Sequence, residues 1–150
     1  MTRWLDPDEQ RTWRAYVAAS RALMDALDRE LQRDAGMPHA YYELLVRLSE
    51  APDRQLRMSE LAEASGSSRS RLSHAVARLE AAGWVRREEC PTDRRGQIAL
   101  LTDEGFATLA AAAPGHVEGV RRHLFDALSP AQVDQLRRIS ETLAEHLTGS

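Results

Sequence analysis

The most distinctive chemistry in this 150-residue chain lies in the arginines and small hydroxyl residues grouped between positions 67 and 78. On a helix that turns about 100° per residue, Ser70 and His74 share the face opposite Leu72. Small and polar side chains allow a helix to enter a DNA major groove about 12 Å wide, where serine and arginine can meet base edges and phosphates. Arg69 falls nearer the apolar side, so we expect a phosphate or an intramolecular carboxylate as its partner. The candidate DNA-contacting residues of this helix are Ser67, Ser68, Arg69, Ser70, Arg71, Ser73, His74 and Arg78. A solvent-exposed helix face without a ligand has the same polarity, so this face alone leaves both interpretations open.

Arg94 and Arg95 form a second basic cluster, between two short runs that are expected to be β-strands. Residues 84–90 and 97–101 flank a segment with proline, aspartate and glycine, a pattern typical of a β-hairpin with a longer loop. A turn of residues 93–96 would place both guanidinium groups at an exposed tip, from which they could reach an adjacent minor groove. Asp93 would be repelled by phosphate and is expected to close the loop through backbone N–H groups. A charged turn in solvent is the alternative interpretation.

Two short helices must position the first cluster. Residues 59–64 and about 68–82 have helical periodicity, and Gly83 suits the left-handed position after the second helix. Leu61, Leu72, Val76 and Leu79 would form the small core between these helices. A helix, a tight turn, a second helix and a hairpin follow one another in the order of a winged helix-turn-helix. We therefore predict a DNA-binding lobe over residues 54–101.

Longer helices are predicted on both sides of this lobe. Asp6 and Pro7 are typical of a helix start, and this helix would extend to about residue 34. A second, largely apolar helix would run from Pro38 to about residue 51. Thr102 can cap a helix that reaches about residue 128, interrupted or bent at residues 114–115, and Ser129 begins a capping box for a final helix. The apolar stripes of these helices exceed what the small lobe can cover, so residues 6–35 and 103–148 are predicted to form a helical dimerisation lobe of a homodimer.

Composition and charge limit the other classes of function. The formal net charge is −3, but residues 54–95 contain nine arginines and six acidic residues, so the basic charge is concentrated in the predicted DNA-binding lobe. No apolar run is long enough for a transmembrane helix. The single cysteine, Cys90, cannot form an internal disulfide, which favours a reducing, cytoplasmic location. We find no phosphate-binding glycine loop, no catalytic motif and no histidine–cysteine cluster, and thus expect no enzyme activity, no cofactor and no metal.

In its wing and helix-turn-helix segments the chain resembles the multiple-antibiotic-resistance regulator (MarR) family. Residues 93–102 match the D-x-R-x5-L-T wing signature of that family, with Asp93 and Arg95 at its two charged positions. Residues 59–62, 67–70 and 79–85 match its helix-turn-helix, except that Trp84 replaces the more usual leucine after the glycine. The resemblance covers nearly the whole of residues 1–150, as a single MarR-like domain that is mainly α-helical with a small β-hairpin wing.

The resemblance implies a bacterial transcription regulator, a homodimer that binds pseudo-palindromic double-stranded DNA. Residues 67–78 would be the recognition helix and Arg95 the wing arginine, with Arg94 close by. Repression released by a small aromatic or anionic effector is further implied, with the effector bound between the two lobes. The aromatic candidates for its binding are Trp13, Tyr16, His39, Tyr41 and Tyr42. A winged-helix protein that binds protein partners is the competing hypothesis, followed by an enzyme that acts on a small aromatic substrate.

Overall fold

The computed structural model describes residues 1–149, apart from the side chains of residues 93–95. Over these residues the fold is mainly α-helical with one small antiparallel sheet, as predicted. No helix in this part of the chain combines the length and apolarity needed to cross a bilayer. The elements in chain order are α1 (Pro7–Ala35), α2 (His39–Glu50), β1 (Gln55–Arg57), α3 (Met58–Ser65), α4 (Arg69–Ala81), β2 (Val85–Cys90), β3 (Asp93–Leu101), α5 (Asp103–His123) and α6 (Pro130–Thr148).

Three helix starts follow from capping residues that the sequence predicts. The Asp6 carboxylate accepts from the Glu9 N–H at 2.8 Å, and the Glu9 carboxylate accepts from the Asp6 N–H at 3.0 Å, which completes a capping box. Thr102 Oγ1 accepts from the N–H of Gly105 at 2.9 Å at the start of α5. Ser129 Oγ caps α6 in the same way. Each cap satisfies a backbone donor that has no partner inside its helix.

Helix α5 differs from its prediction in two respects. It continues as one helix through Pro114, which is exposed, so the predicted interruption is absent, whereas the alternative of a bend at residues 114–115 stays a prediction. It ends at His123 rather than near residue 128. Leu124 is the C-cap of α5, and Phe125–Ala127 form a separate 3-10 turn. The predicted boundary was therefore five residues too long.

The core lies between α2 and the helix-turn-helix. Leu61, Leu72, Val76 and Leu79 are buried, as predicted for the small core. They pack against α2, in which Leu45 and Leu48 are fully buried, and against residues 85, 99 and 101 of the sheet. Burying one leucine side chain contributes about 1.5–3 kcal/mol, so this cluster holds α4 firmly in place.

The sheet has the strand order β1-β3-β2, and both pairings are antiparallel. Strand β1 was not predicted, because its three residues are too short for an alternating pattern. The turn of the hairpin is also corrected: it is formed by Pro91 and Thr92, whereas residues 93–96 belong to β3. Cys90 pairs with Asp93, and a register shift beside Cys90 accommodates the extra residues on β3. The fixed φ of Pro91 favours this tight connection over the longer loop.

Candidate DNA-binding surface

The turn between α3 and α4 sets the direction of α4. Helix α3 ends at Gly66 with φ 65°, a left-handed conformation that favours glycine. The Ser67 N–H donates to the carbonyl of Ala62 at 3.0 Å and closes the turn. Ser68 is the N-cap of α4, and its Oγ accepts from the Arg71 N–H at 3.2 Å. The Ser68 hydroxyl, a predicted DNA contact, therefore has a capping role within the chain.

Helix α4 separates an apolar inner face from a polar outer face. Leu72, Val76 and Leu79 are buried against α3 and the sheet. Ser67 is half-buried in the turn before the helix. The other predicted contacts on α4 are all exposed, at positions 69, 70, 71, 73, 74 and 78. The fold thus presents this set on one accessible surface, as the periodicity predicts, and its contact with DNA remains a prediction.

The arginines of this surface carry positive charge that is largely unopposed. Arg69 and Arg71 have no carboxylate partner among the side chains that the structure describes. Arg78 Nε lies 3.4 Å from His74 Nε2, on the next turn of the same helix. Glu80 is the single acidic residue between positions 67 and 87, and it pairs with Arg87 at 2.7 Å. An anion would therefore meet guanidinium groups on this face.

A groove of about 450 Å³ runs between α4, the start of α3 and the β2–β3 hairpin, which we call the wing. Arg69 and Ser73 line one wall. Arg57 and Gln97, which the sequence analysis missed, line the other, and Arg57 Nη2 donates to Thr92 Oγ1 at 3.2 Å. Their positions in the sequence, Arg57 directly before α3 and Gln97 shortly after the wing arginines, could have indicated that they belong to this surface. Donors on both walls of the groove suit a sugar-phosphate backbone.

The predicted wing arginines follow the turn of the hairpin. Arg94 and Arg95 lie in β3, close to the tip formed by Pro91 and Thr92. Their side chains are outside the described part of the structure. Their place in the chain puts them at the distal end of the hairpin that carries Gln97 into the groove.

The five aromatic candidates for effector binding do not converge within one chain. His39 and Tyr42 gather around His116 of α5, with ring centroids 5.4 and 4.4 Å from its ring. Burial lowers the pKa of His116 and raises that of Tyr42. The cavity beside His116 measures about 70 Å³, well below the roughly 150 Å³ that accommodates benzene. Trp13 and Tyr16 are exposed on the first half of α1.

Tyr41 occupies a different place. It lines a groove of about 760 Å³ between α2 and α4, together with Glu43 on α2 and with Ser70, Arg71 and His74 on α4. The volume lies within the range of about 300–1,000 Å³ that small-molecule sites occupy. Tyr41 is therefore the aromatic candidate that the fold brings next to the predicted DNA contacts. Among the described residues, no group of three or more histidine, cysteine or carboxylate side chains could hold a metal ion.

Comparison with known proteins gives a consistent result. Residues 35–96 match the family model described as MarR family. The chain is 59% identical to Sco3205, a MarR family transcriptional regulator from Streptomyces coelicolor whose crystal structure is in complex with DNA; the match has a TM-score of 0.95 and covers 97% of this chain and 92% of that one. It is 45% identical to AbsC, a MarR family regulator from the same organism, with a TM-score of 0.93 and coverage of 99% and 100%.

A curated relative adds a more distant match. The transcriptional repressor MprA of Escherichia coli K12 is 31% identical over 112 residues, which are 75% of this chain and 63% of the relative. The chain thus spans less than two thirds of the length of that repressor. The likeness to Sco3205 and AbsC extends over nearly the whole of all three chains and agrees with the winged helix-turn-helix geometry described above. The chain therefore belongs to the MarR family of transcriptional regulators.

Proposed function

We propose that this chain is a sequence-specific double-stranded DNA-binding repressor, which acts as a homodimer and whose DNA affinity is modulated by a small molecule. The observation that carries the proposal is the outer face of α4, where polar side chains and unpaired arginines lie beside a wing and a donor-lined groove. The DNA complex of Sco3205 supports the DNA partner, and the name of MprA supports repression. The lobe of residues 54–101 would bind DNA, and residues 6–35 and 103–148 would form the dimer.

Each surface has a defined part in this proposal. Helix α4 enters the major groove, where Ser70 and His74 meet base edges while Arg69, Arg71 and Arg78 meet phosphates. Arg94 and Arg95 extend to the adjacent minor groove. The net charge of −3 does not oppose this, because the acidic excess lies outside residues 54–95. The helical lobe would thus face away from the phosphates.

Electrophoretic shift against the promoter region beside the chain's own gene tests the DNA partner. Arg71→Ala is expected to weaken binding and to lower the slope of log K against log salt by about 1, since one phosphate contact releases about one counterion. The matched control is Arg138→Ala on α6, which removes the same charge from an exposed residue far along the chain, and it should leave the slope unchanged. Equal slopes for wild type and Arg71→Ala would remove this face of α4 from the DNA interface.

The homodimer is supported by helix α6. Over its described residues 130–148 no side chain is buried, although an apolar stripe runs along it. Ile139 is 58% exposed and Leu147 is 78% exposed. Leu136 and Leu143 belong to the same stripe and are also exposed. Trp4, Leu5 and Trp13, near the start of the chain, are also exposed apolar residues. A second copy of the chain would bury both sets by two-fold symmetry.

Light scattering after size exclusion tests the dimer. Ile139→Glu places a charge in the stripe and should shift the mass from two chains towards one, or raise the dimer dissociation constant at least tenfold. Glu145→Arg, on the opposite face of α6, introduces a charge change without touching the stripe and should remain dimeric. A wild-type mass of one chain at micromolar concentration would contradict the homodimer.

The small-molecule part of the proposal is supported by the groove between α2 and α4. A ligand there would contact Tyr41 on one side and Arg71 and His74 on the other, so it would compete with the contacts proposed for DNA. The tyrosine ring and the guanidinium together suit an aromatic anion. Benzoate is therefore a suitable first probe. It should weaken operator binding by wild type and not by Tyr41→Ala; an equal effect on both would exclude Tyr41 from the effector site.

A further inference from the structure

Glu80 is the only acidic residue between positions 67 and 87, and it lies on α4, the helix that carries the unpaired arginines. Its Oε1 accepts from Arg87 Nε at 2.7 Å, and its Oε2 accepts from the backbone N–H of Arg87 at 3.3 Å. Only 32% of the Glu80 side chain and 26% of the Arg87 side chain are exposed. One carboxylate therefore joins α4 to both the main chain and the side chain of β2.

Arg87 also contacts a second residue of α4. Its Nη1 donates to Ser73 Oγ at 3.4 Å. Ser73 and Glu80 are seven residues apart, so they lie on the same side of the helix about 10 Å apart along its axis. The guanidinium thus lies along the flank of α4 and connects β2 to two residues of that helix, which are about two turns apart. These contacts fix the angle between α4 and the wing.

The neighbouring arginine has a different environment. Arg86 points to the opposite face of β2, where its Nε pairs with Glu88 at 3.0 Å and 60% of its side chain is exposed. Because this pair joins two residues of the same strand, it does not restrain the position of the wing relative to α4. An ion pair in such an exposed position contributes little, whereas a partly buried, multiply hydrogen-bonded pair holds its elements more firmly. Glu80 and Arg87 are therefore the pair that determines the geometry.

We propose that Glu80 is a positioning residue for DNA binding: through Arg87 it holds the wing at the angle at which α4 and the wing meet the same duplex. This inference rests on the DNA-binding function proposed above. It assigns Arg87 to the internal framework of the surface rather than to the phosphates. It also explains why a carboxylate is placed among arginines on a surface that faces an anion.

A purely electrostatic role and a positioning role predict opposite changes in DNA affinity for Glu80→Gln. The substitution removes a negative charge from a surface that faces phosphates, so a purely electrostatic role would make binding tighter. A positioning role makes it weaker, by about tenfold, because glutamine has one acceptor oxygen where glutamate has two. It can accept from only one of the two Arg87 donors, and that remaining hydrogen bond no longer has a charged acceptor. Glu88→Gln is the matched control, since it removes the same charge from an ion pair that lies within β2 and does not involve α4. We expect this control to bind as tightly as wild type or slightly tighter.

The experiment compares operator binding by wild type, Glu80→Gln and Glu88→Gln in the same buffer, with hydroxyl-radical footprints of each complex. Glu80→Gln should lose protection at the flanks of the site, where the wing would lie, and retain protection at the positions covered by α4. Glu80→Gln binding as tightly as Glu88→Gln, or a uniform loss of protection, would overturn the inference. If wild type itself fails to bind selected DNA, the proposed DNA-binding function is contradicted. This result differs from the one that contradicts the positioning role, in which wild type binds and Glu80→Gln binds equally well.

A second variant separates positioning from folding. The exchange Glu80→Arg with Arg87→Glu preserves an ion pair across the same two elements. It should recover at least part of the lost affinity and the protection at the flanks. Thermal unfolding of all variants at equal concentration shows whether each is folded at the assay temperature. An exchanged variant that is folded and binds no better than Glu80→Gln would contradict the positioning role.

Discussion

Gly105, in the first turn of α5, lies very close to the base of the wing. A Cβ built on Gly105 would lie 2.1 Å from the carbonyl oxygen of Trp84 and 2.8 Å from Leu101 Cδ1. The same junction is held by Thr102, whose N–H donates to the Trp84 carbonyl at 3.0 Å and whose Oγ1 donates to the Gly83 carbonyl at 2.7 Å. An added methyl group therefore meets backbone that hydrogen bonds hold in place. Gly105→Ala forces the first turn of α5 away from the wing.

The size of the effect follows from these contacts. Overpacking costs about 1–3 kcal/mol, and loosening of the Thr102 hydrogen bonds adds about 1 kcal/mol. Replacing a helical glycine by alanine returns about 1 kcal/mol of helix propensity. The net loss of unfolding free energy is about 2 kcal/mol, which lowers the melting temperature of a chain of this length by about 4–8 °C. The wing would shift with the junction, so affinity for DNA should fall as well.

Gly115, in the same helix, is the matched control. A Cβ there meets no atom within 4 Å, so Gly115→Ala keeps the propensity gain without a clash and should raise the melting temperature by about 2–4 °C. The assay is thermal unfolding followed by circular dichroism, at one protein concentration for wild type and both variants. Equal melting temperatures for the two alanine variants would refute the close contact between α5 and the wing base.

Three further predictions concern the framework of the fold. Leu45→Ala, in the fully buried centre of α2, should lower the free energy of unfolding by about 2–5 kcal/mol, measured by urea titration. Asp6→Ala removes the capping box of α1 and should cost about 1 kcal/mol in the same assay. Burial lowers the pKa of His116 below its ordinary value of 6.5, so the unfolded chain takes up a proton there before the folded chain does. Stability contributed by the neutral ring is therefore present above pH 6.5 and lost as the pH falls below it. His116→Phe, which can keep the ring contact with Tyr42, should flatten the fall in melting temperature between pH 7 and pH 5; an unchanged fall would assign it to other groups.

Local rules predict much of this fold because its helices begin and end at residues with a single clear function. Asp6, Thr102 and Ser129 supply side-chain acceptors for orphan backbone donors, and all three cap the helices that the sequence predicts. Gly83 adopts the predicted left-handed φ, at 83°. The periodicity of α4 predicts both its buried side and its exposed side, since a helix next to a small core has only one face that can be covered.

The rest depends on contacts between residues that are distant in sequence. Strand β1 exists because β3 offers it a partner about forty residues later, as in the pairing of Leu56 with Ala99. The pairing of Cys90 with Asp93 determines the turn of the wing, and no local pattern distinguishes it from a longer loop. The contribution of Arg57 to the groove, and the contact of Arg87 with Ser73, likewise require the hairpin to fold back onto α3 and α4. Tertiary packing decides these features.

Selection from a randomised duplex library tests whether α4 and the wing read a double-stranded DNA site as parts of a two-fold dimer. Bound duplexes are sequenced, and the affinity for the enriched duplex is compared with that for a shuffled duplex at physiological salt. We expect an inverted repeat with half-site centres about 10 base pairs apart and a preference of about a thousandfold or more over the shuffled duplex. No enriched repeat, with equal affinity for both duplexes, would contradict it.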